Sequence, residues 1–421
     1  MRPGAPGTAE APEPLTSGCR SCGAPLGRPV LDLGEQPNAN RYVSAHDLPL
    51  PEPRFPLRVS LCESCWLLQL ADSMPPEALF QEYAYFSSYS QSWLRHAESY
   101  AEEMLARLEL GPGSLVVEVA SNDGYLLRNF VEAGVPVLGI EPARNVAAYA
   151  RSIGVPTREV FLGRRTAAAL RAEGVRADLL VGNNVLAHVP DLNDFVAGLG
   201  LLLAPNGLLT MEFPHVLHLV EESQFDTIYH EHYSYLSLTA VQAAFARHGL
   251  ALEDVQEVPT HGGSLRICVR HGGRGRAPVS VTALQRREVD AGLTDPTTYD
   301  RLRTDADRVR RELVGFLRSA TGEGRRVAGY GAPAKGNTLL NFCGVGTELL
   351  PYTVDLSPHK QGRYLPGSHV PIRAPEELLD DRPDYVLILP WNLEEEIVDQ
   401  MRAIRSWGGR FVVAIPELRV F

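Results

Sequence analysis

SLVVEVASNDGYLLRNFVEAGVPVLGIEPA, residues 114–143, reads as an apolar strand, a short polar turn containing Gly124, a helix, and a second strand that stops on the acid Glu141. Strand, helix and strand in so short a span open a doubly wound sheet, whose parallel strands need helical crossovers. ADLLVGNNVLAHV (177–189) supplies a third strand and NGLLTMEFP (206–214) a fourth. Ahead of them WLRHAESYAEEMLARLEL (93–110) has helical apolar spacing and runs into the stop GPG. The expected fold is α/β with a Rossmann-like unit at its centre.

Sheets of this kind take ligands beyond the carboxyl ends of their strands. Glu141, at the end of the second strand, stands where an acid accepts hydrogen bonds from ribose hydroxyls. Dinucleotide and S-adenosylmethionine (SAM) enzymes share that position, so the turn has to discriminate. A dinucleotide site needs G-x-G-x-x-G for the pyrophosphate to approach the backbone. Here Ala120, Asn122 and Gly124 fill those places, and Asp123 adds negative charge. An acidic turn repels pyrophosphate and suits the positive sulfonium and ammonium groups of SAM. Glu118, Ser121, Asn122, Gly124, Glu141, Asn183 and Asn184 are the candidate cofactor residues, with SAM favoured over NAD.

The chain has 421 residues, long enough for two or three domains. A net charge of −11 argues against nucleic acid and anionic membranes as partners. No apolar run approaches a membrane span, and the Pro- and Gly-rich start MRPGAPGTAEAPEPL has no signal-peptide core, so a cytoplasmic monomer is expected. Four cysteines fall in two C-x2-C knuckles, Cys19 with Cys22 and Cys62 with Cys65. Four thiolates make a closed tetrahedral zinc site, structural because no position stays open. Disulfides are the rival reading, disfavoured in a reducing compartment. An elaborated loop is expected between the knuckles. The domains are then 1–76, a disordered lead-in plus the zinc-binding domain; 77–284, the SAM-binding domain; and 285–421, a C-terminal lobe.

The segment FDTIYHEHYSYLSLTAV (225–241) follows the fourth strand past the sheet's carboxyl edge. Its density of histidine, glutamate and tyrosine beside a cofactor crevice points to chemistry rather than packing. His232 is the candidate base, with Glu231 or a tyrosine to orient its ring. Tyr83, Tyr85 and Tyr89 form a second cluster, His188 ends the third strand's turn, and THGGSLRICVR (260–270) reads as an edge strand whose glycines allow close approach. A helical connector is expected over 285–320. In the last lobe RRVAGYGAPAKGNTLLNF (325–342) gives strand, Gly-rich turn and helix. The chain's two lysines, Lys335 and Lys360, both lie here, and a lysine at a helix N-terminus suits a diphosphate. Tyr330 and Asn337 flank the same turn. A nucleotide sugar held between the lobes is the favoured ligand; NAD is the rival.

The order C-x2-C, C-x2-C, SNDG, NNVLAHV, YHEHYSYLS, HGGSLR and GYGAPAKGN resembles the SAM-dependent C-methyltransferases of nucleotide-linked keto-deoxysugars, and does so over nearly the whole chain from Cys19. The resemblance implies a zinc-containing enzyme that methylates a dTDP-4-keto-deoxysugar, typically at C-3, in antibiotic biosynthesis. It implies zinc on Cys19, Cys22, Cys62 and Cys65, and active-site positions at Tyr83, His188, Tyr229, Glu231 and His232, with His232 as the base. The chemistry agrees with the composition. Methylating carbon requires an enolate, hence a base near neutrality and donors for the enolate oxygen. The competing readings are methylation at C-5, an NAD-dependent oxidoreductase acting on a nucleotide sugar, and a zinc-dependent regulatory protein without catalysis.

Overall fold

Between the two cysteine knuckles lies a hairpin rather than the expected loop. In a computed structural model describing residues 18–72, 87–272 and 278–421, apart from the Tyr89 side chain, strand β1 (Pro29–Gln36) pairs antiparallel with β2 (Phe55–Leu61), and β2 with β3 (Leu68–Leu70). Alternation in β1 buries Leu31 and Leu33 and exposes Asp32, the pattern of a strand with one face on a core. That core is shared: Leu31, Leu57 and Leu70 pack with Phe225, Ile228 and the apolar stripe of the long helix Asp300–Gly322. The predicted connector is in fact two helices, Val279–Asp290 and Asp300–Gly322, separated by a turn at Pro296.

All four predicted central strands form. Strands β4 (Val116–Val119), β5 (Val137–Ile140), β6 (Thr157–Arg158), β7 (Ala177–Asn183) and β8 (Leu203–Pro214) run parallel. Strand β9 (Ser234–Tyr235) leaves this unit and pairs with β3, Leu68 opposite Tyr235 and Gln69 opposite Ser234. The histidine-rich segment is therefore the fourth strand of the N-terminal sheet. Strand β10 (Leu250–Val258) and β11 (Ser264–His271) complete a seven-stranded order β10-β11-β8-β7-β4-β5-β6. The chain winds outward from β4 through β6, then returns to the other side at β7. That reversal opens a crevice at the carboxyl ends of β4 and β7. The HGGSLR strand is not an edge: β10 covers its outer side, and Ser264 to Val269 are all buried.

The C-terminal lobe holds a third sheet, of six strands. Its strands β12 (Val327–Tyr330), β13 (Thr353–Val354), β14 (Ile372–Arg373), β15 (Tyr385–Ile388) and β16 (Arg410–Val413) are parallel, and β17 (Arg419–Val420) is antiparallel at one edge. Among the described residues no helix is long and apolar enough to cross a membrane.

Candidate active site

The turn after β4 is wound through left-handed backbone at alternate residues, Ala120 (φ 56°), Asn122 (φ 49°) and Gly124 (φ 81°). Only glycine adopts this freely, so Ala120 and Asn122 carry strain of about 1–3 kcal/mol each. At Gly124 a side chain would also meet Val155 at 3.1 Å. The winding aims the Asn122 N–H at Glu141, whose Oε2 accepts it at 3.0 Å while Oε1 accepts the Ala143 N–H at 2.8 Å. Burial pushes the Glu141 carboxyl up to about 7, against the pull of those two N–H groups. From above, the Ser87 N–H donates to Asn122 and the Ser88 N–H to Asp123, both at 3.0 Å.

A cavity of about 750 Å³ opens here, lined by Asn122, Glu141, Asn183 and Asn184 of the predicted cofactor residues. Glu118, Ser121 and Gly124 lie outside its wall. Glu118 is wholly buried, its carboxyl driven well up by burial and the neighbouring Asp123. Ser121 points at Gly139, where a Cβ would lie 2.5 Å from its Oγ. Asn183 is a different case. It faces the cavity, is 7% exposed, and neither its amide oxygen nor its nitrogen has a partner among the described residues. An orphaned amide in this wall fits the ammonium and carboxylate of SAM's methionine end, and the Glu141 carboxylate in the same cavity fits its ribose hydroxyls. Past the end of β6 the wall is apolar, with Phe161 and Leu162.

His232 stands deeper in the same cavity. Its Nδ1–H donates to the Thr227 carbonyl at 2.9 Å, which leaves Nε2 to accept the Tyr229 hydroxyl at 2.7 Å. The tautomer follows from the carbonyl, which can only accept. His188 meets the ring edge-on, centroids 4.7 Å apart. Burial, then the His188 charge, hold the His232 pKa well below the ordinary value, with Lys335 contributing further. His188 is pushed down to about 4 by burial, although a ring N–H donates to the Glu231 carbonyl. The residue orienting His232 is thus Thr227 with Tyr229, not Glu231. Both Glu231 carboxylate oxygens accept from Asn40 Nδ2 at 2.8 Å, and burial pushes the acid up to about 7. His230 turns away to the Pro56 carbonyl at 3.2 Å. Tyr83 and Tyr85 lie outside the described residues, as does the Tyr89 side chain.

The cavity continues past Trp93, His261 and Lys335 into a larger one of about 1250 Å³ under the C-terminal lobe. Lys335 sits in the first turn of the helix Ala334–Cys343, its Nζ 4.3 Å from the Trp391 ring centroid and 2.7 Å from Asn392 Oδ1. Burial lowers its pKa to about 8, partly countered by Asp226. Lys360 lines both cavities but is tied down, donating to the Ala332 carbonyl at 2.9 Å and facing Asp355 at 3.4 Å. Tyr330 lines the larger cavity and donates to Gln400 at 3.0 Å. Asn337 does not reach either; its Nδ2 donates to the Ala39 carbonyl and locks the helix to the N-terminal module. Asn40, Tyr42, Trp93 and Trp391 escape a reading of the sequence, because no local pattern sets them apart.

Cys19 and Cys65 sulfurs are 3.5 Å apart, as are those of Cys22 and Cys62, and all four lie within 4.8 Å of one another. Thiolates about 2.3 Å from a tetrahedral zinc stand about 3.8 Å apart, so the set fits one ion. Cys268 and Cys343 are buried singly, as packing residues.

Residues 93–255 match a family model for a methyltransferase domain, residues 259–416 one for a C-methyltransferase C-terminal domain, and residues 19–80 one for a zinc binding domain. The C-methyltransferase NovU of Streptomyces niveus is 36% identical over 403 residues, 96% of either chain. A ubiquinone biosynthesis O-methyltransferase of Methylobacterium sp. (strain 4-46) is 33% identical over 107 residues, 24% of this chain and 42% of its own. Among solved structures, magnesium protoporphyrin IX methyltransferase from Synechocystis PCC 6803 superposes on 42% of this chain and 79% of its own, at 16% identity and a TM-score of 0.32. The cysteine tetrad, the crevice at the strand reversal and the full-length likeness to NovU lead to one conclusion: the chain belongs to the zinc-containing, SAM-dependent C-methyltransferases.

Proposed function

We propose that this enzyme methylates a carbon alpha to the ketone of a dTDP-4-keto-deoxysugar, C-3 in the favoured reading, by way of an enolate made by His232, in deoxysugar and antibiotic biosynthesis. The observation that carries it is the His232 ring, which lines the cavity and is fixed in one tautomer, with Nε2 accepting the Tyr229 hydroxyl. When bound, SAM supplies an electrophilic methyl group. Asn183 and Asn122 hold its methionine end, Glu141 its ribose hydroxyls, and Phe161 with Leu162 packs its adenine. His232 Nε2 removes the alpha proton once the Tyr229 hydroxyl turns from Nε2 to the substrate's keto oxygen. Tyr229 then stabilises the enolate oxygen, while His188, its ring N–H committed to the Glu231 carbonyl, packs edge-on against His232 and holds its ring in place. Tyr83, by family resemblance, is a further donor.

Lys335 carries the diphosphate, at a helix N-terminus where an anion is favoured. This has a consequence for the base. Its positive charge is the least of the causes that hold the His232 pKa down, so pairing it with diphosphate removes a small part of that depression when substrate arrives. Lys360 shapes the turn, and Tyr330 lines the nucleoside end. The domain limits proposed are 1–76, 77–284 and 285–421, and a cytoplasmic monomer is the expected state. The oxidoreductase and non-catalytic readings give way to the family; methylation at C-5 stays as the second reading, open to the same assay.

That assay is incubation with SAM and dTDP-4-keto-deoxysugars in D2O, read by mass spectrometry and NMR. One methyl on C-3 is expected; a methyl on C-5 selects the second reading. Absence of both methyl transfer and deuterium uptake across the sugars refutes the substrate class. Glu141→Ala removes an acceptor with ionic character, each such bond contributing about 1.5–3 kcal/mol. The KM for SAM should therefore rise about ten- to hundredfold, with little change in kcat at saturation; an unmoved KM removes Glu141 from the cofactor site.

A further inference from the structure

The histidine-rich segment is bound to the N-terminal module along its length. Tyr235 and Ser234 pair with β3, the Leu70 N–H donates to the Tyr233 carbonyl at 3.0 Å, and His230 reaches the Pro56 carbonyl. One further bond meets an acid: Asn40 Nδ2 lies 2.8 Å from each oxygen of the Glu231 carboxylate. Asn40 lines the cavity that holds His232, and its own Oδ1 faces the Tyr42 hydroxyl at 3.4 Å. Tyr42 in turn donates to the Ala332 carbonyl in the C-terminal lobe at 2.5 Å. A buried carboxylate without such a partner would be strongly destabilised.

We infer that Asn40 is a positioning residue of the active site, clamping the Glu231 carboxylate so that the segment from His230 to Tyr235 keeps its catalytic geometry. The zinc-built module is then one wall of the site. The inference rests on the reading of Glu231 and His232 as catalytic residues. Around the Glu231 carboxylate stand Asn40 and the Tyr42 phenol; Lys360 lies beyond, over the Tyr42 ring. His188 meets the Glu231 backbone, while His230 and His232 turn to the Pro56 and Thr227 carbonyls. The Asn40 amide favours the ionised acid, so its loss raises the Glu231 pKa from about 7.

The test is a set of full-length, zinc-loaded variants assayed for kcat, KM and pH dependence. Asn40→Ala should lower kcat about ten- to hundredfold, leave the KM for SAM unchanged, and move the acid limb of kcat above pH 7. Combined with Glu231→Gln it should be no slower than Glu231→Gln alone, because the two act as one unit. Asn40→Asp keeps the shape but opposes two carboxylates. Its activity should fall at pH 8 and recover towards pH 6 as the pair takes up one proton. Overturning results are a kcat within twofold with an unmoved limb, additive losses in the double variant, or an Asp variant with no pH rescue. Full activity in Glu231→Gln also overturns it, since Asn40 would then have nothing to act through. Activity retained in His232→Asn sinks the base assignment but leaves the coupling of residues 40 and 231 standing, so the two failures are told apart.

Discussion

His232→Asn should lose methyl transfer by about a hundred- to ten-thousandfold, the span over which general bases contribute. Asparagine keeps a donor for the Thr227 carbonyl but has no basic nitrogen to offer. The loss should fall on kcat, with SAM binding intact, because the cofactor end of the cavity is built from β4, β5 and β7. Deuterium uptake from D2O at the alpha carbon should vanish with it, which separates a missing base from a misplaced methyl donor. Turnover near the parent's rules out the assignment. The pH profile gives a second check. Burial and the neighbouring charges hold the His232 pKa well below the ordinary value. A base that must be unprotonated therefore stays competent as pH falls, and its own acid limb lies below that of an ordinary histidine. Any limb near 7 belongs to another group, and Glu231, raised to about 7 by burial, is the one in place. Protonating it on the acid side would release Asn40's grip on an anion, so activity falls as pH drops through that value.

Local pattern carries the centre of this molecule and fails at its junctions. Strands β4, β5, β7 and β8 are legible because each is an apolar run bounded by turn signals, and Glu141 is legible because an acid ends one of them. The knuckles give the metal site by spacing alone. Strand β10 is harder: LALEDVQEV alternates only in part, Leu250 and Leu252 inward and Glu253 outward, and without it β11 reads as an edge. Asn40 and Tyr42 carry no local mark at all. Their roles come from a sheet that joins residues 29–70 to residues 234–235, a pairing no window of sequence contains. The same holds for Trp391, whose indole N–H donates to Asp226 at 2.8 Å across the two lobes. Glu231 shows the converse error. Adjacency to His232 suggests that it orients the ring, yet the two residues lie in a turn closed by the His232 N–H on the Tyr229 carbonyl at 2.9 Å, and the acid faces Asn40 instead.

Removing zinc should abolish catalysis while sparing the SAM site, although the ion has no open position for chemistry. The path runs through the knuckles. Arg20, between Cys19 and Cys22, is 5% exposed; its N–H donates to Gln69 Oε1 at 3.0 Å and its guanidinium lies 5.1 Å over the Tyr233 ring. Gln69 belongs to β3, which begins three residues after Cys65 and carries β9. Without the ion the sulfurs take up protons and lose their common ligand, so the knuckles open, β3 loses its anchor, and the segment bearing Tyr229 and His232 loses its sheet partner. Cys62→Ser, or prolonged chelation, is thus expected to lower kcat by at least about a hundredfold, since structural zinc contributes about 10–16 kcal/mol in small domains and only part of that need be lost here. Elemental analysis should show one zinc in the parent chain and none in the inactive one. Hydrogen exchange should rise at Leu70 and across β9 while β4 and β5 stay protected, and SAM should still bind within a few-fold of its parent affinity. A zinc-free chain that keeps full turnover would detach the module from the active site. Simultaneous loss of SAM binding and of protection in β4 would instead make the ion a support of the whole fold, since Cys19, Cys62 and Cys65 also share an apolar core with Leu67, Phe213 and Leu236.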